Sequence, residues 1–182
     1  DSKKAVEYYT KAANQNYKQA IFNLGVLYFK GADGVPQDKK RAAELFEQIC
    51  NDHSKALFNL AIMYMNGDGV PKDTKKSIQY FERAADLGSI DALLNLGLIY
   101  NEGSFGVVPD QPKSIQYYKR AADSGNSKAQ LKLGLMYQKG IGYQIDKPKA
   151  KFYYKLASDQ RNDQAQLNLA LLLFEGNISE QN

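Results

Sequence analysis

One helix-length phrase, written five times, constrains this chain more than any other feature. Its first copy is Ala20-Ile21-Phe22-Asn23-Leu24-Gly25-Val26-Leu27-Tyr28, closed by Gly31. The other copies start at Ala56, Ala92, Ala129 and Ala165 and close at Gly67, Gly103, Gly140 and Gly176. Both series step by 36, 36, 37 and 36 residues. A fixed period of this length marks a stacked repeat array, in which each unit packs on its neighbours and no separate globular core forms.

Within the period, two helices are predicted. Each unit opens on an acidic residue, Asp1, Asp38, Asp73, Asp110 or Asp146. Aspartate is a favoured N-cap because its carboxylate accepts the free amide protons of the first turn, and its charge complements the helix dipole. The leading helix that follows carries apolar or small residues at helical spacing: Ala5, Tyr8, Tyr9 and Ala12 in the first unit, Ser77, Tyr80, Phe81 and Ala84 in the third. Its other face is Lys, Arg, Gln and Glu, so one side meets water. The trailing helix is the repeated phrase itself. It is apolar around most of its circumference and requires cover on several sides. One of its positions is always small, as Gly25, Ala61, Gly97, Gly134 and Ala170. Glycine inside a helix costs about 1 kcal/mol relative to alanine, so its recurrence predicts a close approach of two helices. Each trailing helix ends at glycine, which accepts a left-handed cap conformation. The expected architecture is all-α, ten helices in five antiparallel pairs, with units at about 1–37, 38–72, 73–109, 110–145 and 146–182 of one continuous stack. The fifth copy departs from the pattern, with Leu173 in place of the tyrosine and Asn177-Ile178-Ser179 in place of the Gly-Val loop.

Composition narrows the class. Hydrophobic residues make up 43% and charged residues 24%, the balance of an ordinary soluble protein. The net charge of +4 is mild, and lysines are spread over every unit, which leaves no nucleic-acid footprint. Cys50 is the single cysteine, so no intramolecular disulfide can form, and a reducing, cytoplasmic setting is favoured. No run approaches the ~20 apolar residues that cross a bilayer, so direct membrane insertion is not expected. Asp1–Lys4 already lie inside a repeat, which suggests a segment of a longer protein.

No catalytic constellation is visible. His53 is the only histidine, and one histidine with one cysteine makes neither a nucleophile–base set nor a zinc site. Cys50 takes the helix-end slot filled elsewhere by Ala13, Ala85 and Ala122 and reads as a small packed residue. The loops Gly31-Ala32-Asp33-Gly34 and Gly67-Asp68-Gly69 lack the Lys-Ser/Thr of a phosphate loop and follow helices rather than strands. The paired aromatics Tyr8-Tyr9, Tyr80-Phe81, Tyr117-Tyr118 and Tyr153-Tyr154 recur in place and read as core ladder residues rather than a stacking platform. The chain is read as non-enzymatic, without cofactor or metal.

A binding face is the stronger reading. The polar positions of the trailing helices fall into trios with separations of 4 and 7, which place each trio on one helical face. They are Gln19, Asn23 and Lys30; Lys55, Asn59 and Asn66; Asp91, Asn95 and Glu102; Lys128, Lys132 and Lys139; Gln164, Asn168 and Glu175. Stacking would align them into a stripe. Asparagine suits an extended peptide because one side chain both donates and accepts. Lys128, Lys132 and Lys139 together would favour an acidic side chain or a C-terminal carboxylate. The alternative is a solvated stripe whose asparagines serve local packing.

The unit Asp-x-x-Lys-Ala-x-x-Tyr-Tyr-x-Lys-Ala-Ala, then Ala-x-x-Asn-Leu-Gly-x-x-Tyr-x-x-Gly-x-Gly-Val, resembles the Sel-one-like repeat of the tetratricopeptide-type α/α arrays. In that family the Asn-Leu-Gly helix comes first, so the chain starts on the second helix of one repeat and ends after the first helix of another. The resemblance implies a right-handed α/α superhelical solenoid whose concave face is lined by the Asn-Leu-Gly helices. It further implies an adaptor or scaffold that binds a partner protein or peptide through that face. The alternative it carries is a structural or regulatory segment of a larger enzyme or membrane-associated complex. Its settings include protein quality control in the endoplasmic reticulum, cell-wall regulation, and bacterial envelope or host interaction.

Overall fold

A computed structural model describes residues 1–179, with side-chain surroundings through Glu175. Among these residues ten α-helices follow one another: α1 (Ser2–Ala13), α2 (Lys18–Lys30), α3 (Lys39–Ile49), α4 (Ser54–Asn66), α5 (Thr74–Asp86), α6 (Ile90–Glu102), α7 (Gln111–Asp123), α8 (Ser127–Lys139), α9 (Lys147–Asp159) and α10 (Asp163–Ser179). The third interrepeat loop adds a 3-10 turn, Ser104–Gly106, and the first holds an isolated Ala32–Val35 bridge. The all-α expectation and the alternation of leading and trailing helices hold. The helices pack as two compact units, Asp1–Ala92 and Leu93–Asn182, and the division falls inside α6.

All five aspartates cap as the sequence predicts. The side chains of Asp38, Asp73, Asp110 and Asp146 accept the N–H of Arg41, Lys76, Lys113 and Lys149 at 2.9–3.0 Å, and Asp1 accepts that of Lys4 at 3.3 Å. The same four aspartates donate their own N–H backward, to the carbonyls of Tyr28, Tyr64, Tyr100 and Tyr137 at 2.8–2.9 Å. Each glycine loop is thus closed at both ends by one residue.

The helix ends vary more than the sequence suggests. Gly67, Gly103 and Gly140 adopt the left-handed cap, whereas Gly31 has φ 70° with an extended ψ of 162°. α10 does not stop at Gly176 but continues to Ser179. Without a second glycine and Val-Pro after it, nothing turns the chain there. Phe105 holds a left-handed φ of 58° inside the one-residue-longer third loop, a strained choice for a residue with a Cβ.

Packing explains the small position. A Cβ on Gly25 would lie 2.6 Å from the Phe46 ring, on Gly97 2.7 Å from Tyr118, and on Gly134 2.5 Å from Tyr154. These rings are the second members of the paired aromatics, and Phe46, Phe81, Tyr118 and Tyr154 are at most 3% exposed. The first members do something else. Tyr80, Tyr117 and Tyr153 stack on Tyr64, Tyr100 and Tyr137 with centroids 5.5–5.8 Å apart. Tyr8 corrects the core-ladder reading: it is 66% exposed, and its ring lies under the Lys11 ammonium at 5.3 Å rather than against another aromatic of the pairs. Two buried hydroxyls add a tie at the same contact. Ser77 Oγ donates to the Ala61 carbonyl at 2.6 Å and Ser114 Oγ to that of Gly97 at 2.7 Å.

Gly97→Leu should lower unfolding free energy by more than about 2 kcal/mol, because the side chain enters the space of the Tyr118 ring. Gly97→Ala should cost much less, since Ala61 fills the same slot and alanine is about 1 kcal/mol the better helix former. Urea unfolding of the two variants checks the order.

Candidate partner-binding surface

The polar trios divide into a fixed graded pattern. In the first unit Gln19, Lys55 and Asp91 are exposed and Asn23 and Asn59 are half-buried. In the second, Asn95 and Asn168 are half-buried, and Lys128, Lys132, Lys139 and Gln164 are exposed. The central residue of each trio therefore sits at the rim of the hairpin unless it is lysine. Two trios are joined internally: Gln19 Nε2 donates to Asn23 Oδ1 at 2.9 Å, and Gln164 Nε2 to Asn168 Oδ1 at 3.1 Å. In this pair the carbonyl of the asparagine is engaged by its own helix. The Asn168 amide nitrogen is enclosed on the side of α9, where it approaches the Tyr154 hydroxyl. Asn23 borders a cavity of about 370 Å³ together with Ala5, Tyr9, Val26 and Leu27. Asn23 and Asn168 thus serve the packing of their hairpins as well as the rim.

Lys128, Lys132 and Lys139 differ. They lie along one face of α8, and none of them takes part in an ion pair among the described residues. Most cations with partners sit elsewhere: Lys39 pairs with Asp68 at 2.5 Å, Lys149 with Asp146 at 2.9 Å, and Lys18 with Asp52.

Several interactions escaped the sequence reading. A basic residue three positions after the cap covers the last tyrosine of the preceding trailing helix: Arg41 over Tyr28 (4.8 Å), Lys76 over Tyr64 (4.1 Å), Lys113 over Tyr100 (4.9 Å) and Lys149 over Tyr137 (5.3 Å). Such a cation–π contact contributes about 0.5–1 kcal/mol at a partly exposed site. Lys76 Nζ also donates to the Tyr64 hydroxyl at 2.6 Å, which in turn donates to Glu47 at 3.0 Å. The hydroxyl of Tyr64 holds the Lys76 ammonium above the usual lysine range. Burial pushes Tyr118, Tyr137 and Tyr154 up to about 12, so these phenols stay neutral at physiological pH. Cys50 lies at the end of α3, half-buried, with its carbonyl accepting from Arg83 at 3.0 Å. Among the described residues no three His, Cys, Asp or Glu side chains gather as metal ligands, and no helix is long and apolar enough to cross a membrane.

The Sel1 repeat pattern matches the chain at residues 1–17, 18–52, 54–89, 90–126, 127–162 and 163–182. The chain belongs to the Sel1 repeat family. Its repeats begin at or next to the first residues of α2, α4, α6, α8 and α10, the phase in which the Asn-Leu-Gly helix leads. The solved c5321 antigen of uropathogenic Escherichia coli, which displays this repeat fold, is similar with a TM-score of 0.86 and 32% identity, covering 94% of this chain and 36% of that one. A Sel1 repeat protein from Oxalobacter formigenes is similar with a TM-score of 0.79 and 36% identity, covering 91% and 67%. Cytochrome c oxidase assembly factor 7 of Xenopus tropicalis is 38% identical over 88 residues, which are 48% of this chain and 38% of that relative. This chain thus matches well under half the length of its curated relative.

His53 gives the Sel1 array a pH dependence. Its Nδ1 accepts the Ala56 N–H at 3.2 Å as the cap of α4, and its ring stacks on Phe22 at 4.8 Å. Burial first, and the neighbouring Lys55 charge, lower its pKa below 6.5 in the fold. Protonation would also remove the accepting lone pair. The unfolded chain therefore binds the proton more readily, so stability is complete above about pH 6.5 and falls as pH drops through the folded value. With no other histidine in the chain, the melting temperature should decline as pH is lowered below about 6.5, and His53→Asn, which caps without titrating, should flatten that decline.

Proposed function

We propose that this Sel1 repeat chain is a non-catalytic adaptor that holds a segment of another protein on the polar faces of its trailing helices. The observation that carries the reading is the set of three exposed cations along one face of α8, Lys128, Lys132 and Lys139, none of which takes part in an ion pair among the described residues. An acidic segment or a free C-terminal carboxylate is the complementary ligand. In the first unit the faces of α2 and α4 offer Gln19, Asn23, Lys55 and Asn59, a mixed donor–acceptor surface suited to a peptide backbone. Asp91 and Asn95 on α6 supply the same kinds of group. A preformed helical surface loses little entropy on binding. Family membership supports the reading, and so does a relative that is a cytochrome c oxidase assembly factor, a protein named for an assembly role.

A peptide array of acidic and neutral segments, with free and amidated C-termini, tests the reading. Acidic or free-carboxylate peptides should bind the chain, and Lys128→Glu/Lys132→Glu/Lys139→Glu should weaken them at least about tenfold, or about 1.4 kcal/mol. Asn23→Ala/Asn59→Ala should reduce capture of backbone-bound segments with little change in helix content. Equal capture by the charge-reversed variant would defeat the α8 site.

A further inference from the structure

We propose that one loop edge of the unit Leu93–Asn182 docks reversibly on an anionic lipid surface. Two consecutive loops form this edge, 103–109 between α6 and α7 and 140–145 between α8 and α9. They lie side by side. A Cβ on Gly142 would meet Ile115 Cδ1 at 2.6 Å and Gln111 Cβ at 3.1 Å, in the first turns of α7 that follow loop 103–109. Val108 is 80% exposed, Ile145 65%, Phe105 50% and Tyr143 42%. The first two loops of the chain expose no such large apolar side chain among the described residues; they hold Asp33 and Asp68, and Val35 is buried. This exposure belongs to the interior register of the array. The two residues before each cap aspartate are exposed in all four loops, as Pro36-Gln37, Pro71-Lys72, Val108-Pro109 and Gln144-Ile145, and the first three of these loops are followed by further hairpins. Val108 and Ile145 thus place branched aliphatic side chains at positions that stay open between repeats.

Shape and charge select the occupant. Contiguous exposed apolar side chains mark protein or membrane contacts. A side chain four-fifths exposed stands out from its surroundings and lines no groove, so a fluid apolar phase covers it more fully than a second folded surface. The cations bordering the patch are Lys113, Lys139, Lys147 and Lys149, and the carboxylates are Glu102, Asp110 and Asp146. The carboxylates are engaged. Asp110 and Asp146 cap α7 and α9 and pair with Lys113 at 3.8 Å and Lys149 at 2.9 Å, and Glu102 accepts from Ser104 Oγ at 3.3 Å. Lys139 and Lys147, one on each side of loop 140–145, are exposed and take part in no ion pair among the described residues. This matches the boundary of an anionic bilayer, where aliphatic and phenyl groups enter beneath the headgroups, a tyrosine ring sits at their level and lysines meet the phosphates. The edge is preformed. The N–H groups of Asp110 and Asp146 close the loops onto the Tyr100 and Tyr137 carbonyls at 2.8 and 2.9 Å, and Tyr143 stacks on Tyr137 with centroids 4.8 Å apart. Among the described residues no helix is long and apolar enough to span a bilayer, so the contact is peripheral.

Co-sedimentation with vesicles tests this. Vesicles of phosphatidylcholine mixed with phosphatidylglycerol should capture the chain, and vesicles of phosphatidylcholine alone should capture it at least about tenfold less. Val108→Asp/Ile145→Asp, two exposed substitutions, should lower capture by the mixed vesicles at least about tenfold, with helix content and acidic-peptide binding on α8 unchanged. Lys147→Glu should weaken capture, and so should added salt. Should the double aspartate variant unfold, Val108→Ser/Ile145→Ser, which removes the apolar groups without adding charge, should show the same direction of loss. Capture by neither vesicle overturns the proposal, as does equal capture by both. Undiminished capture of the double variant assigns the binding to another face and overturns it. Loss of acidic-peptide binding in that variant gives the edge to a protein segment and overturns it too. So does sedimentation velocity in which the unaltered chain, uncaptured by vesicles, gains mass with concentration and the double variant does not, since the patch then serves a second copy.

Discussion

The fold depends on one contact, the edge of an aromatic ring lying on a helix that has no side chain at that point. Each ring requires two positions 20 or 21 residues apart to be filled correctly, one by a small residue and one by Phe or Tyr. A glycine within a helix gives up about 1 kcal/mol of helical stability. Burying a Phe or Tyr against the neighbouring helix contributes about 1.5–3 kcal/mol. The balance favours the close approach. Where alanine stands in for glycine, at Ala61, the ring opposite is Phe81, still buried, and the Ser77 hydroxyl ties the Ala61 carbonyl.

A second device fixes how one hairpin leads to the next. Four residues, Asp-x-x-Lys or Asp-x-x-Arg, perform three tasks at four successive junctions. The carboxylate caps its helix, the aspartate N–H closes the glycine loop onto the tyrosine carbonyl, and the cation lies over that tyrosine's ring. The loops between vary by a residue, and one of them carries a 3-10 turn and a strained Phe105. The anchors at their ends do not shift. Insertions are tolerated there because the staple constrains the two ends of the loop and not its interior.

The fold was largely legible in the sequence because its determinants are local and repeated. The period, the aspartate caps and the small position each appear five times, so chance resemblance is averaged away. What was not legible depends on pairs across a loop. Arg41 and Tyr28 are 13 residues apart, Lys76 and Tyr64 are 12, and spacing alone gives neither the ring's tilt nor which lysine of Lys75-Lys76 reaches it. The different fates of Tyr8, exposed on α1, and Tyr80, buried against Tyr64, were likewise hidden. Sequence marks a residue as capable of burial, whereas the neighbour decides whether burial occurs. In the candidate site the helical face of each trio was readable. That Gln19 binds Asn23, or that Asn168 turns its amide into the hairpin, required the side-chain geometry.

The positions of each hairpin divide into committed and variable ones. The small residue, the second aromatic, the cap and the cation are committed to the hairpin, and altering any of them changes stability. The central asparagine is half committed, one end in the hairpin and one at its rim. The outer members of each trio, and Lys132 among the central ones, are the positions that packing constrains least. Charge at those positions changes from Lys55 on α4, through Asp91 and Glu102 on α6, to Lys128 and Lys139 on α8. One trio can therefore change without disturbing the core, because contacts in such a fold reach only the adjacent unit.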